Sequence, residues 1–218
     1  MGVAAAITIL VLLTFCIPTA GCAASSEPRK APQTILEEWD GVEVPEPPRP
    51  EPVKLDPATT ALLVLDIQRQ NCNAERRPRC VSSLPAVQRL LERAREAGAV
   101  VAYSLTSSAE PDDIRAEVAP REGEPVVRSG VDKFFGTYLE DLLRRRGVET
   151  VVLVGTSAHG AVLHTATGAA ARDFRVVVPV DGMSSTEPYA EQYTAWHLVN
   201  ALGTRRRTTL TRTDLVEF

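Results

Sequence analysis

Residues 149–173 decide what this chain can be. Glu149-Thr150-Val151-Val152-Leu153-Val154 is apolar and β-branched without alternation, the pattern of a strand buried on both faces of a parallel sheet covered by helices. Gly155 ends the run. Thr156-Ser157-Ala158-His159-Gly160-Ala161 then makes a turn, after which Ala161, Thr165, Gly168, Ala169 and Arg172 recur at helical spacing. A strand that hands over directly to a helix aims the first N–H groups of that helix past the C-terminal edge of the sheet. α/β proteins hold their ligands at that edge.

The same alternation runs through the rest of the chain. Ala61-Leu62-Leu63-Val64-Leu65 is a second buried strand and ends at a carboxylate, Asp66. Leu84, Val87, Leu90, Leu91 and Ala94 fall on one helical face, and Gly98 supplies the stop. A strand over 100–105 follows, and then a polar excursion over 106–123, long for a loop and expected to form part of a pocket wall. Next come a short strand at 126–128, a helix over 134–146 with Leu139, Leu142 and Leu143 inward, and the strand and helix of the 149–173 stretch. The pattern closes with a strand over 174–180, a helix over 188–202 and an edge strand at 208–211. With 218 residues, 44% of them apolar, the chain has material for one α/β core. The expected fold is a single doubly wound α/β domain over 58–218, its mostly parallel sheet of about six strands flanked by helices in three layers.

The N-terminal residues read as an address. The apolar run 3–17 is short for a bilayer span, and residues 1–21 are read as an export signal. Thr19-Ala20-Gly21-Cys22 resembles the lipobox of bacterial lipoproteins, in which the cysteine is acylated; Thr19 stands where leucine is usual, and no Lys or Arg precedes the run. Lipidation at Cys22 and ordinary secretory cleavage nearby both imply export to the bacterial cell envelope, with membrane contact only through that anchor. Residues 22–57 are dense in proline and are expected as an extended linker, with one helical turn near Ile35–Trp39. Cys72 and Cys80 bracket a polar loop. In an oxidising compartment they suit a local disulfide; two free thiols, or a displaced nucleophile at Cys72, are the other readings. A formal charge of −4, and arginine runs confined to 144–146 and 205–207 at element ends, argue against a nucleic-acid partner.

The string from Gly155 to Thr167 followed by Arg172-Asp173, together with Leu65-Asp66-Ile67-Gln68 and Asp132-Lys133-Phe134-Phe135, resembles the isochorismatase-like hydrolases, also called the cysteine hydrolase superfamily. The resemblance extends from Asp56 to the C-terminus. It implies catalytic positions Asp66, Lys133 and Ala161, the last being a nucleophilic cysteine in most members. Isochorismatases are similar in lacking that cysteine, and their Ala-His pair matches Ala158-His159; they use the aspartate to protonate a vinyl ether, after which water attacks. The resemblance further implies a cis peptide between Thr156 and Ser157 and a backbone oxyanion cradle near Ser157 and Ala161. Gln68, Thr156, Ser157 and His159 would surround the substrate, with His159 either touching it or capping the turn. Members often join subunits through the region matching 181–197, so a homo-oligomer is expected, with Tyr193 and Trp196 as interface anchors or, alternatively, as core.

An aspartate in a dry site beside a lysine is held ionised by the ammonium and pushed toward neutrality by desolvation, which suits it to proton transfer. No metal or other cofactor is expected. Residues 103–108 contain no histidine, Gly155 and Gly160 lack the spacing of a phosphate loop, and His164 and His197 fall in helices as packed or solvent-facing residues. The expected function is that of an exported hydrolase acting on a small polar molecule by Asp/Lys acid–base chemistry without a cysteine nucleophile. The alternative is an inactive small-molecule-binding protein of the same fold, in which Asp66 and Lys133 are only a buried ion pair.

Overall fold

The computed structural model of the chain describes residues 1–2 and 34–218; the export signal and Cys22 lie outside the described residues. Contacts divide the chain into two units, Met1–Val44 and Pro45–Phe218. In the first, α1 (Ile35–Glu38) is a single turn, begun by a hydrogen bond from the Thr34 N–H to the Glu37 carboxylate at 2.7 Å. Among the described residues no helix is long and apolar enough to cross a membrane.

The second unit opens with β1 (Val53–Lys54), inside the stretch read as linker. It continues through β2 (Thr60–Leu65), α2 (Pro78–Glu96), β3 (Val100–Leu105), β4 (Val126–Arg128), α3 (Leu139–Arg145), β5 (Thr150–Thr156), α4 (Leu163–Ala171), β6 (Arg175–Pro179), β7 (Met183–Ser184), α5 (Pro188–Asn200), β8 (Thr208–Thr211) and β9 (Val216–Glu217). Seven strands form one sheet in the order β4-β3-β2-β5-β6-β8, with β7 paired to the end of β5, and every pairing is parallel. β1 and β9 form a separate two-stranded parallel sheet. The proline-rich stretch joins the fold because its backbone finds partners there: the Glu51 N–H donates to the Leu210 carbonyl and the Leu55 N–H to that of Glu217, both at 2.8 Å.

The unbroken apolar runs are explained by two cores. Ala61, Leu63 and Leu65 of β2, with Val151 and Leu153 of β5, face a cluster built with Leu139 and Leu143 of α3, Ala166 and Ala169 of α4, and Leu198 of α5. Leu62 and Val64, with Val152 and Val154, face Leu84, Val87, Leu90 and Leu91 of α2. Strand side chains alternate between faces, so a strand covered on both faces has to be apolar at every position. Each large aliphatic side chain buried here contributes about 1.5–3 kcal/mol.

Sequence and structure part at the expected helix 134–146, which forms only from Leu139. Gly136 adopts φ +68°, a left-handed conformation that interrupts a helix. The side chain of Asp132 accepts the Phe134 N–H at 3.0 Å and that of Thr137 accepts the Leu139 N–H at 3.3 Å, so local side-chain bonds replace the first helical turn.

The strand order reverses between β2 and β5, and at that switch point the two strand ends almost touch. Gly155 pairs with Leu65 at φ +145°, and a Cβ placed on it would lie 2.1 Å from the Leu65 carbonyl oxygen. Only glycine satisfies both conditions. Gly155→Ala should therefore destabilise the domain by about 3 kcal/mol or more and lower its melting temperature by roughly 6–12 °C, as scanning calorimetry would show.

Candidate active site

Asp66 follows the last residue of β2 and takes a left-handed conformation, φ +52°, rare for a residue with a side chain. Its N–H donates to the Ser104 carbonyl at 3.3 Å, so it is still anchored to β3 as the chain turns away. Its carboxylate is gripped on both oxygens. The Ser104 hydroxyl donates to Oδ1 at 2.8 Å, and Lys133 Nζ donates to Oδ2 at 2.7 Å. Lys133 is completely buried, and the Asp66 side chain keeps 6% of its surface exposed.

The lysine comes from the loop between β4 and α3. Besides Asp66, its ammonium donates to the Gly130 carbonyl at 2.6 Å and the Ser129 carbonyl at 3.4 Å, which occupies all three N–H groups of a side chain that has no others. Lys133 therefore fixes and charges the site and has no spare donor for a ligand. Helix α4 seats this loop. The Lys133 backbone N–H donates to Thr165 Oγ1 at 3.3 Å, and a Cβ on Gly168 would fall 2.6 Å from Asp132 Oδ1. The small residues of α4 are thus the ones that let the lysine loop lie against it.

Burial pushes the Asp66 carboxyl above the ordinary aspartate value of 3.8; the Lys133 charge and hydrogen bond, the Ser104 hydroxyl and the Arg77 charge all pull the other way. Desolvation wins. The folded state holds this proton more tightly than the unfolded chain, so stability associated with this group is fully present below pH 3.8 and declines as pH rises through the folded value.

Across the switch point lies the turn after β5. The peptide between Thr156 and Ser157 is cis, at the bond that the family resemblance implies. The Thr156 hydroxyl donates to the Ser184 carbonyl at 3.0 Å, tying the strand end to β7. The Ser157 carbonyl accepts the Gly160 N–H at 3.1 Å and the Val162 N–H at 3.2 Å, and the second of these reaches five residues back. Such a π turn widens a helix start and is often found at functional sites. Ala158 and Ala161 are buried, Ser157 is half-buried and His159 is exposed. His159 Nδ1 lies 2.8 Å from the Ser185 hydroxyl, so the ring latches the turn to the segment after β7.

Gln68 is also brought to this edge. Its side chain is buried, and Oε1 accepts the Thr106 hydroxyl at 3.1 Å. Its backbone pairs with Ile114, which makes the 106–123 excursion one wall of the site. Cys72 and Cys80 form a disulfide, as the oxidising reading expected, so neither supplies a thiolate and a nucleophile at Cys72 is excluded. Tyr193 and Trp196 are 39% and 37% exposed, which removes the core alternative for them. Among the described residues no three His, Cys, Asp or Glu side chains gather as metal ligands. A cavity of about 690 Å³ lined by Lys54, Arg175 and Arg205–Arg207 lies at the opposite, N-terminal edge of the strands and belongs to no part of this site.

Two participants were missed in the sequence. Ser104 had a signal: it is the one hydroxyl in the run Val-Val-Ala-Tyr-Ser-Leu, directly opposite Leu65 in the sheet. Arg77 had none, because its position depends on how the disulfide loop folds.

A family model described as Isochorismatase domain matches residues 60–209, and the chain belongs to that family. Streptothricin hydrolase of Streptomyces noursei is 35% identical over 153 residues, 60% of each chain. N-carbamoylsarcosine amidase of an Arthrobacter species is 27% identical over 148 residues, 55% of this chain and 56% of that one; the match thus spans little more than half of that relative. A secreted isochorismatase effector of Verticillium dahliae is 28% identical over 59% of this chain and 74% of its own. Among solved structures, an isochorismatase family protein from Desulfovibrio vulgaris superposes with a TM-score of 0.64 at 25% identity, over 72% of this chain and 95% of the other. N-carbamoylsarcosine amidase from Thermoplasma acidophilum gives 0.62 at 25% identity, over 72% and 97%.

Removing one partner of a buried ion pair leaves the other charge unsatisfied, at a cost of about 3–5 kcal/mol. Lys133→Met should destabilise the protein by that amount at pH 8 in urea unfolding. The loss should shrink as pH falls and Asp66 takes up a proton; a loss independent of pH would mean that Asp66 bears no charge in the folded protein.

Proposed function

We propose that this member of the isochorismatase family hydrolyses a small polar molecule, an amide in the first instance, with Asp66 moving the proton and no cysteine nucleophile. The carrying observation is the Asp66–Lys133 pair, buried at the switch point beside the Thr156–Ala161 turn. In this reading water attacks the carbonyl carbon directly. Asp66 takes a proton from that water and returns it to the leaving nitrogen as the C–N bond breaks, so the hydroxyl ends on carbon and the hydrogen on nitrogen. Lys133 keeps the carboxylate oriented, and backbone N–H groups near Ser157 and Ala161 polarise the oxygen. Gln68, Thr156, Ser157 and His159 shape the space around it. The amide class is suggested by the names of the relatives, an amidase and a hydrolase among them.

We further infer that the protein is exported, by lipidation at Cys22 or by secretory cleavage nearby. The Cys72–Cys80 disulfide fits an oxidising compartment, and one relative is described as secreted. Exposed Tyr189, Tyr193 and Trp196 on α5 suit an interface between copies. The second reading, a binder without turnover, draws on the near-complete burial of Asp66 and the fully occupied lysine.

Purified protein should be screened against small amides, esters and vinyl ethers, and the substrates found repeated with Asp66→Asn. The hydrolase reading expects that substitution to lower kcat by about 10²–10⁴-fold. Amide hydrolysis should fall away as pH drops through the folded Asp66 value, with that limb lying above 3.8 because burial raises it. Saturable binding with no turnover of any class would select the binder instead.

A further inference from the structure

Among the described residues, four buried side-chain polar atoms have no hydrogen-bond partner: Gln68 Nε2, Arg77 Nε, Ser184 Oγ and Thr208 Oγ1. Such orphans are rare in folded proteins and mark places where something else is meant to bind. They are not scattered. Gln68 stands two residues after Asp66, Ser184 pairs with Thr156 at the end of β5, and Arg77 sits in the loop that the disulfide closes. Three of the four therefore ring the same C-terminal edge.

Arg77 is the informative one. Its neighbours in the chain are accounted for: Arg69 holds Asp113 at 3.4 Å, and Arg79 holds Glu191 at 2.9 Å. Arg79 also donates to the carbonyls of Ser185 at 3.2 Å and Thr186 at 2.9 Å. Arg77 has no carboxylate in contact among the described residues, although part of its guanidinium is buried. That guanidinium is nonetheless close enough for its charge to act on Asp66, and Asp66 acts on it in return.

The loop around it is pinned at several points. The Cys72 N–H donates to the Gln68 carbonyl at 2.7 Å. The Cys72–Cys80 disulfide closes the loop, and Arg79 ties its far end to the segment that receives His159. A strongly hydrated cation is thus held, partly desolvated and unpaired, beside a reaction centre. A planar fork of donors in that state suits a carboxylate, which it can grip with two bonds.

We propose that Arg77 recognises an anionic group of the substrate, a carboxylate placed a few bonds from the group that reaches Asp66. Arg77 is then a specificity residue delivered by the disulfide loop, and the preferred substrate is a small acid that also carries the hydrolysable bond. This assignment rests on the hydrolase reading of the site, but its test reads binding and not turnover, so the two fail separately.

The probes are two matched pairs, succinamate and glutaramate, each against its methyl ester, titrated by calorimetry into the full-length protein. Losing a hydrogen bond to a charged group weakens binding by roughly 10–100-fold. The free acids should bind wild type that much more tightly than the esters. Arg77→Gln should erase the difference, and Arg77→Lys should keep part of it, with melting temperatures unchanged. The proposal is overturned if neither acid binds, if acids and esters bind alike, if the preference survives Arg77→Gln, or if that variant weakens acids and esters equally.

Discussion

A carboxylate and an ammonium lie side by side with almost no access to water, and much of this fold is arranged to keep them there. Desolvating both charges is expensive, and their attraction repays it only when every remaining donor and acceptor is satisfied. Here the remainder is satisfied: Ser104 takes the second carboxylate oxygen, and two backbone carbonyls take the rest of the ammonium. Hydrophobic side chains in the same places would stabilise the domain at least as well. A pair of this kind is therefore better explained by what it does to a proton than by what it adds to stability.

The geometry that makes the pair possible was partly legible in the sequence. The unbroken run before Gly155, the run ending at Asp66 and the small residues of α4 could only be a two-faced parallel sheet and a helix under close approach, and both are present. Lys133 was legible through its family motif. The loop that carries it was not, since leucine spacing across 134–146 suggests a helix and says nothing of Gly136 turning left-handed or of Asp132 and Thr137 bonding to local N–H groups. Partners far apart in sequence were hidden for the same reason. Val53 meets Val216 across the β1–β9 pair, and no periodicity in either segment reveals a pairing between them.

The turn after β5 and the disulfide loop depend on one another through a short relay. Arg79 holds Glu191, the Glu191 carboxylate also accepts the Ser185 N–H at 2.6 Å, and the Ser185 hydroxyl meets His159 on the turn. One side of the site is thus braced from the loop that carries Arg77 and the other from Gly155 against Leu65. Rigid support on both sides is what a reaction needs when it has no covalent intermediate to hold its substrate in place.

The balance between burial and ion pairing at Asp66 is the central physical claim, and it can be read directly by following the side-chain carboxyl carbon of Asp66 by ¹³C NMR across pH. The account expects a midpoint above the ordinary value of 3.8, because desolvation outweighs the pull of Lys133, Ser104 and Arg77. A midpoint at or below that value would show a carboxylate held permanently ionised, and the proton-transfer role given to it would fall.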